Sequence, residues 1–305
     1  MAKKNGFVEG TRVKVGMSDR IIRGVGYVLV MIYALACVIP FIIIISTSFT
    51  SEATIRAEGV QLIPKDISLQ AYEMVAKGGG IWWSYLLTIA MTLVGTFLGL
   101  SIIAMTGYAL QRKDFPFRNV ISFYVYFTSL FSAGLAPYYL LMTNTYHLMD
   151  SYFAVLLPLL MSPWLIILMK NFVKAIPHEI TESGKIDGAG DMKIFTALIL
   201  PMLKPALATI GLFLALGYWN EWYQSSLFLS SRVAVKPLQY TLYEIVNKTD
   251  ALRNSVAGQF ITLADIPTES VKMANAVLAT GPIIFLYPFV QRYFISGITV
   301  GAVKG

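Results

Sequence analysis

Six long apolar stretches constrain this chain more than any other feature of its sequence. They cover about residues 24–49, 81–110, 120–142, 152–169, 206–229 and 273–290, and each reaches the ~18 residues that a helix needs to cross a hydrocarbon core. A soluble interior has no room for them. Of the residues, 56% are hydrophobic and 13% charged, against roughly 45–50% and 25% in soluble domains. The sequence therefore predicts an all-α membrane protein of about six transmembrane helices. The first stretch follows basic residues, as the core of a cleaved signal peptide does. It is too long and starts too late for one, and Ser46-Thr47-Ser48-Phe49 is the nearest approach to a cleavage site, so it is read as a retained helix.

The basic residues orient the bundle. Lys3, Lys4, Arg12, Lys14, Arg20 and Arg23 precede the first stretch, and Arg112, Lys113 and Arg118 separate the second from the third. Lys170, Lys174, Lys185, Lys193 and Lys204 separate the fourth from the fifth, and Arg292 and Lys304 follow the sixth. Sixteen of the 24 Lys and Arg thus fall on one face, which the positive-inside rule makes cytoplasmic together with both termini. The net charge of +7 reflects this asymmetry, with membrane lipid as the partner of the surface charge and no call for nucleic acid. The expected organisation is a cytoplasmic N-terminal segment over 1–23, a membrane domain over 24–295 and a cytoplasmic tail over 296–305. Loops 50–80 and 230–271 lie outside and loop 170–205 inside, all long enough to carry function. Within the last outer loop, 238–245 alternates too loosely to choose between a short helix and a strand.

Inside the membrane, Gly95 and Gly99 have the spacing that lets helix backbones approach closely, a spacing that also arises by chance in glycine-rich spans. Pro137, Pro158, Pro163, Pro282 and Pro288 are expected to kink their helices. The carbonyls they free need neighbouring helices or a wet cavity, which favours a transporter core over a simple anchor. Cys37 is the single cysteine, so no intrachain disulfide is available.

The loop 170–205 reads differently from the spans around it. Pro177 starts a short helix, Gly188 and Gly190 supply the backbone freedom for a sharp turn, and Asp191 caps a second helix ending before Pro201. The result is a helix-turn-helix across the inner face, partly hydrophobic and acidic at its turn, of a kind that docks into a partner's groove. Taken alone, Glu182 and Asp187 would read as solvated charges.

The order of residues in this loop resembles a known family. Glu182-Ser183-Gly184, three residues, Gly188, nine residues, then Leu198-Ile199-Leu200-Pro201 is similar to the Glu-Ala-Ala loop (the EAA loop) of binding-protein-dependent ABC importer permeases. Ser183 and Gly184 stand where that pattern has two alanines, and Leu198 where it has isoleucine. Leu200-Pro201 with Lys204-Pro205, Trp219-Asn220-Glu221-Trp222, Gln291-Arg292-Tyr293-Phe294 and Gly301-Ala302-Val303-Lys304-Gly305 look like the carbohydrate-uptake subfamily. Within it, the chain resembles the second, maltose-type permease subunit, especially of importers for oligosaccharides such as those of polyuronates. The resemblance implies a type I permease architecture in a bacterial-type cell membrane. It implies that the loop forms a coupling helix seated in a cytoplasmic ATPase, with Glu182, Ser183, Gly184, Asp187, Gly188, Ala189, Leu200 and Pro201 as coupling residues. Glu182 would meet a basic residue of that ATPase.

It further implies an ATPase subunit dimer, a second homologous permease, an extracytoplasmic solute-binding protein and a carbohydrate substrate as partners. The chain itself lacks the phosphate-cradling loop, because Gly184-Lys185 is followed by Ile186 and Glu179 stands where the first glycine belongs. No catalytic set, metal site or cofactor is expected in it; ATP and Mg would sit in the partner. Trp219, Asn220, Glu221, Trp222 and Tyr223 combine stacking faces with polar groups, the chemistry of sugar recognition, and are candidate pathway residues. An interfacial aromatic belt explains the same residues. His147 and His178 fall on opposite sides of the membrane and make no common metal site. An ion-gradient-driven secondary transporter is the alternative reading, and an intramembrane enzyme a more distant one.

Overall fold

The computed structural model describes residues 17–77, 80–254 and 268–284. Among the described residues the chain is helical with no strand, one isolated bridge joining Thr50 and Ile67. Three spans are long and apolar enough to cross a membrane. They are α1 (Met17–Ser48), α4 (Ile81–Gln111), and the pair α7 (Tyr152–Leu160) and α8 (Pro163–Lys174) run together. Two more pass as bent pairs. α5 (Arg118–Leu130) turns by 115° into α6 (Leu135–Thr145), and α10 (Asp191–Met202) turns by 84° into the segment Lys204–Phe228, which consists of α11 (Lys204–Trp219) and α12 (Tyr223–Phe228). Five of the six apolar stretches are thereby accounted for. The sixth is described in part, as α14 over 269–284; residues 285–290 lie outside the described residues. Lys3, Lys4, Arg12 and Lys14, together with Pro288, Arg292, Lys304, the motifs at 291–294 and 301–305 and the tail 296–305, lie outside the described residues.

Two of the prolines expected to kink their helices sit at the starts of helices. The third stretch breaks at 131–134, ahead of Pro137, where Gly134 takes φ +91°. Pro137 then sits in the first turn of α6, where its missing N–H leaves no hydrogen bond unmade. Pro163 is likewise the first residue of α8. The kinks expected at these two positions are corrected accordingly.

α4 is the axis of the described structure. Its buried residues include Ser84, Thr88, Met91, Gly95, Gly99, Ile103 and Gly107, a stripe recurring every three to four residues on one face. The glycines let neighbours in. A side chain at 95 would overlap the Tyr218 ring of α11, one at 99 would lie 3.1 Å from the Leu160 carbonyl oxygen, and one at 107 would lie 2.6 Å from Met169 Cγ. Gly95 and Gly99 thus mark real close packing. Beneath them, Ile103, Tyr108, Leu110, Val173, Ile194, Phe195, Ile199 and Ile210 form one apolar cluster at the end that carries loop 170–205. The exposed apolar face of α1, from Ile21 to Ile42, is suited to hydrocarbon.

At the other end, the loops fold onto the helices. α2 (Glu52–Glu58) and α3 (Gln70–Lys77) lie between α1 and α4. α13 (Leu238–Asn254) resolves the open choice at 238–245 as one 17-residue helix. Its start is pinned to α4, with Leu238 N donating to Thr88 Oγ1 at 2.8 Å and Ser84 Oγ 3.0 Å from Thr241 Oγ1. Pro237 just before it is compatible with a helix entry and not with a central strand.

Glu52 caps a helix more than two hundred residues away. Its buried carboxylate accepts Thr268 Oγ1 (3.0 Å), Glu269 N (3.1 Å), Ser270 N (3.1 Å) and Ser270 Oγ (3.0 Å) at the start of α14. Burial pushes this carboxyl up, but the hydrogen bonds from Ser270, Glu269 and Thr268 outweigh it and hold it below the ordinary glutamate value. A carboxyl depressed in the folded state adds stability above its unfolded value and loses it as pH falls through the folded one. Glu52→Ala should therefore destabilise the solubilised protein by about 2 kcal/mol at neutral pH. Thermal unfolding at neutral and acid pH checks this, and the gap between wild type and variant should narrow in acid.

Candidate functional site

The loop 170–205 forms the expected helix-turn-helix. α9 (Glu179–Ile186) ends in a paired cap: Gly188 N donates to Lys185 O at 3.0 Å and Ala189 N to Gly184 O at 2.9 Å. That pattern places residue 188 in the left-handed region, and Gly188 has φ +75°, the conformation glycine adopts without penalty. Gly190, at φ −67° and ψ 158°, is ordinary extended backbone and makes no use of glycine's freedom. It occupies the cap position, so Asp191 is the first helical residue and not the cap expected from the sequence. Its carboxylate instead meets Arg112 Nη1 at 2.7 Å.

α10 also runs further than expected. It winds as a π-helix over Ile194–Ile199 and passes through Pro201 before breaking at Leu203. The wider π turn leaves room for the proline ring, which in a regular helix would strike the carbonyl four residues back.

The element has two unlike faces. Ile180, Thr181 and Gly184 of α9 turn inward, and Ile194, Phe195 and Ile199 of α10 bury against Tyr108 and Val173. Gly184 is where α9 and α10 meet. A methyl group there would lie 3.0 Å from Leu198 Cδ1 and 3.1 Å from Ile194 Cγ1, closer than side chains normally sit, so this glycine lets the two helices draw together. Ala189 and Leu200 pack half-buried against the same cluster, and Pro201 is exposed.

Glu182, Ser183, Ile186, Asp187 and Gly188 face outward. The Glu182 side chain is 61% exposed and lies 3.5 Å from His178 Nε2. Ile186, 86% exposed, is a functional candidate not singled out from the sequence. An apolar knob between Lys185 and Asp187 at a glycine turn was the available signal.

A second feature escaped sequence reading altogether. Asp114, in the turn after α4, accepts Arg112 Nε at 2.8 Å and pairs with Lys185 Nζ at 2.7 Å. Arg112 in turn holds Asp191 and lies over the Tyr108 ring at 5.9 Å. Hydrogen bonds donated by Arg112 and then Lys185 hold the Asp114 carboxyl well below the carboxylate range, and those that Arg112 donates to Asp114 and Asp191 hold its guanidinium well above its own ordinary value. Beside this cluster lies a cavity of about 490 Å³ lined by Tyr108, Arg112, Lys174, His178 and Glu179 among others.

The candidate pathway residues separate into two groups. Trp219 is buried, its indole N–H donating to Ala279 O at 3.0 Å. Glu221 is buried too. It accepts Gln224 N, Ser225 N (3.3 Å) and Ser225 Oγ (2.6 Å), so it holds the start of α12. Asn220 is exposed and within 3.5 Å of Gln239 Nε2. Trp222 lies 4.9 Å from the Tyr243 ring and lines a cavity of about 310 Å³ with Gln239 and Asn275. Tyr223 lines another, of about 630 Å³, with Tyr138 and Gln224. Among the described residues no group of three or more His, Cys, Asp or Glu is placed to hold a metal ion.

A bundle of spanning helices around a glycine-lined axis, with a projecting helix-turn-helix at one end, is the architecture of an importer permease. Residues 99–300 match the family described as binding-protein-dependent transport system inner membrane component, and the chain belongs to that family. It is therefore a permease component of the cell membrane and not an ATPase.

Among its relatives, the polygalacturonan/rhamnogalacturonan transport system permease protein of Bacillus subtilis (strain 168) is 35% identical over 289 residues, 95% of this chain and 100% of that protein. The arabinooligosaccharides transport system permease protein of Halalkalibacterium halodurans is 27% identical, covering 89% of this chain and 93% of that one. In three dimensions the chain is similar to a chain of a bacterial ABC transporter involved in the import of the acidic polysaccharide alginate. The TM-score is 0.78 and the identity 33%, covering 92% of this chain and 98% of that one.

Proposed function

We propose that this chain is one of two permease subunits of an ATP-driven importer for a carbohydrate, an oligosaccharide handed over by an extracytoplasmic binding protein. The observation that carries this reading is the helix-turn-helix. In a family of binding-protein-dependent permeases, α9 presents Glu182, Ser183, Ile186 and Asp187 to the outside, while Thr181 and Gly184 face the protein. A stiff two-faced element of this kind is what a partner's groove accepts. The partner is a dimeric ATPase that binds ATP and Mg, and a second homologous permease completes the pore. Both termini and this loop face the cytoplasm, in keeping with the Lys and Arg distribution. The carbohydrate substrate is supported by the relatives, which are named for polygalacturonan and arabinooligosaccharide transport.

ATP-driven closure of the two ATPases would draw the coupling helices together and turn the pore outward. The drive is limited to the difference in ATPase affinity between the two states. Along the pathway, Asn220, Trp222 and Tyr223 present polar and stacking surfaces, while Trp219 and Glu221 hold the segment in shape. An affinity tag on this chain tests the assembly. The solubilised wild type should bring down an ATPase and a second permease, and a chain that transports while bringing down no ATPase would overturn the proposal.

A further inference from the structure

We propose that the ionic cluster Lys185–Asp114–Arg112–Asp191 is the link that transmits displacement of α9 to α4, with Asp114 as its positioning residue. The inference rests on the coupling reading above. Lys185 belongs to the outer end of α9, Asp191 opens α10, and Arg112 and Asp114 terminate α4. One carboxylate therefore joins segments 71 residues apart through contacts at 2.7 Å and 2.8 Å. The Arg112 side chain, 18% exposed, is fixed in turn by Asp191 and the Tyr108 ring, and Tyr108 lies 5.2 Å from Phe195 of α10.

Solvent-facing ion pairs contribute little to stability on their own, so the value of this cluster lies in what it holds in place. Among the described residues α9 grips the protein through Ile180, Thr181 and Gly184 on its inner face, all in its first six residues, and Lys185 is its ionic attachment near the turn. Glu182 and Ile186, flanking that attachment, are free for a partner. α4 is also the element whose far end is pinned to α13, through Thr88 and Ser84. Force applied to α9 at the turn thus reaches α4 through Asp114, and α4 reaches the outer loop. An energetic coupling, and not proximity alone, is the claim to be tested.

The experiment uses the intact complex, purified by a tag on this chain and reconstituted in vesicles with its binding protein. Uptake of a labelled galacturonate oligomer, or of the fastest-imported member of an oligosaccharide panel, is measured per ATP hydrolysed. Asp114→Asn and Lys185→Met should each lower this ratio by about fivefold or more, the size of a typical coupling, while the amount of assembled complex is unchanged. Lys185→Arg should restore it, and the double variant should be no worse than either single one.

Wild-type ratios in both single variants, or additive losses in the double, overturn the link and leave the coupling reading intact. A wild-type complex that hydrolyses ATP without import, or contains no ATPase, overturns that reading and this inference with it. If Asp114→Asn lowers assembly, the exposed Lys185→Met carries the same readout.

Discussion

Glu182→Lys should abolish ATP-dependent uptake and strip the ATPase from the purified complex while leaving the folded chain intact. The reason lies in the contrast between what Glu182 does within the chain and what its position offers outside it. Within the chain its side chain is 61% exposed, and its neighbour is an exposed His178 at 3.5 Å, a pair whose loss costs little. Outside, it stands on the free face of α9 beside Ser183 and Ile186. Reversing one member of a charge pair buried on docking typically costs 2–5 kcal/mol, about 30-fold or more in affinity. Uptake, ATPase recovery and the unfolding temperature of the purified chain form the check. Loss of the first two with the third unchanged is the expected pattern, and full uptake by Glu182→Lys removes this residue from the coupling role.

Gly95→Leu should have the opposite signature, loss of folded protein before any question of transport arises. Position 95 faces the Tyr218 ring with no space for a side chain. Tyr218 has little freedom to retreat, because it is buried and its hydroxyl donates to Leu156 O at 2.9 Å. The substitution forces α4 and α11 apart at the centre of the bundle, and overpacking of this kind costs about 1–3 kcal/mol or more. Gly217→Ala is the matched control. Nothing lies within 4 Å of a side chain at 217, so alanine there should be neutral or slightly stabilising through its better helix propensity, by up to about 1 kcal/mol. The yield of monodisperse protein in detergent and its unfolding temperature separate the two. Equal behaviour of Gly95→Leu and Gly217→Ala would mean that α4 and α11 do not meet as described.

Much of this architecture was legible because lipid imposes a simple rule, a long apolar run for each crossing. The glycine turn was legible for a similar reason, since few residues besides glycine tolerate the backbone that Gly188 adopts. Breaks within spans were harder. Pro137 drew attention to itself, yet the chain bends at 131–134, where Phe131 turns extended after α5 and Gly134 leads into α6, because a proline in a first helical turn costs nothing. Asp191 had the composition of a cap and serves as half of an ion pair. Nothing local distinguishes those uses; the presence of Arg112 across the fold does.

The same limit hid Glu52 at the start of α14 and Asp114 beside Lys185. Each links residues far apart in sequence, and a single chain carries no periodic signal for such a contact. In the candidate pathway segment, residue type suggested sugar chemistry for all five residues from 219 to 223. Burial then separates Trp219 and Glu221, whose polar atoms serve the fold, from Asn220, Trp222 and Tyr223, which remain accessible.

The most direct test of the whole account is the energy source for uptake. The complex carrying this chain should be reconstituted in vesicles with its binding protein, and entry of labelled oligosaccharide followed with ATP present inside or absent, with and without a proton or sodium gradient. Entry that requires ATP and the binding protein and ignores the gradients is the predicted result. Entry driven by a gradient without ATP would contradict it and make the chain a secondary transporter.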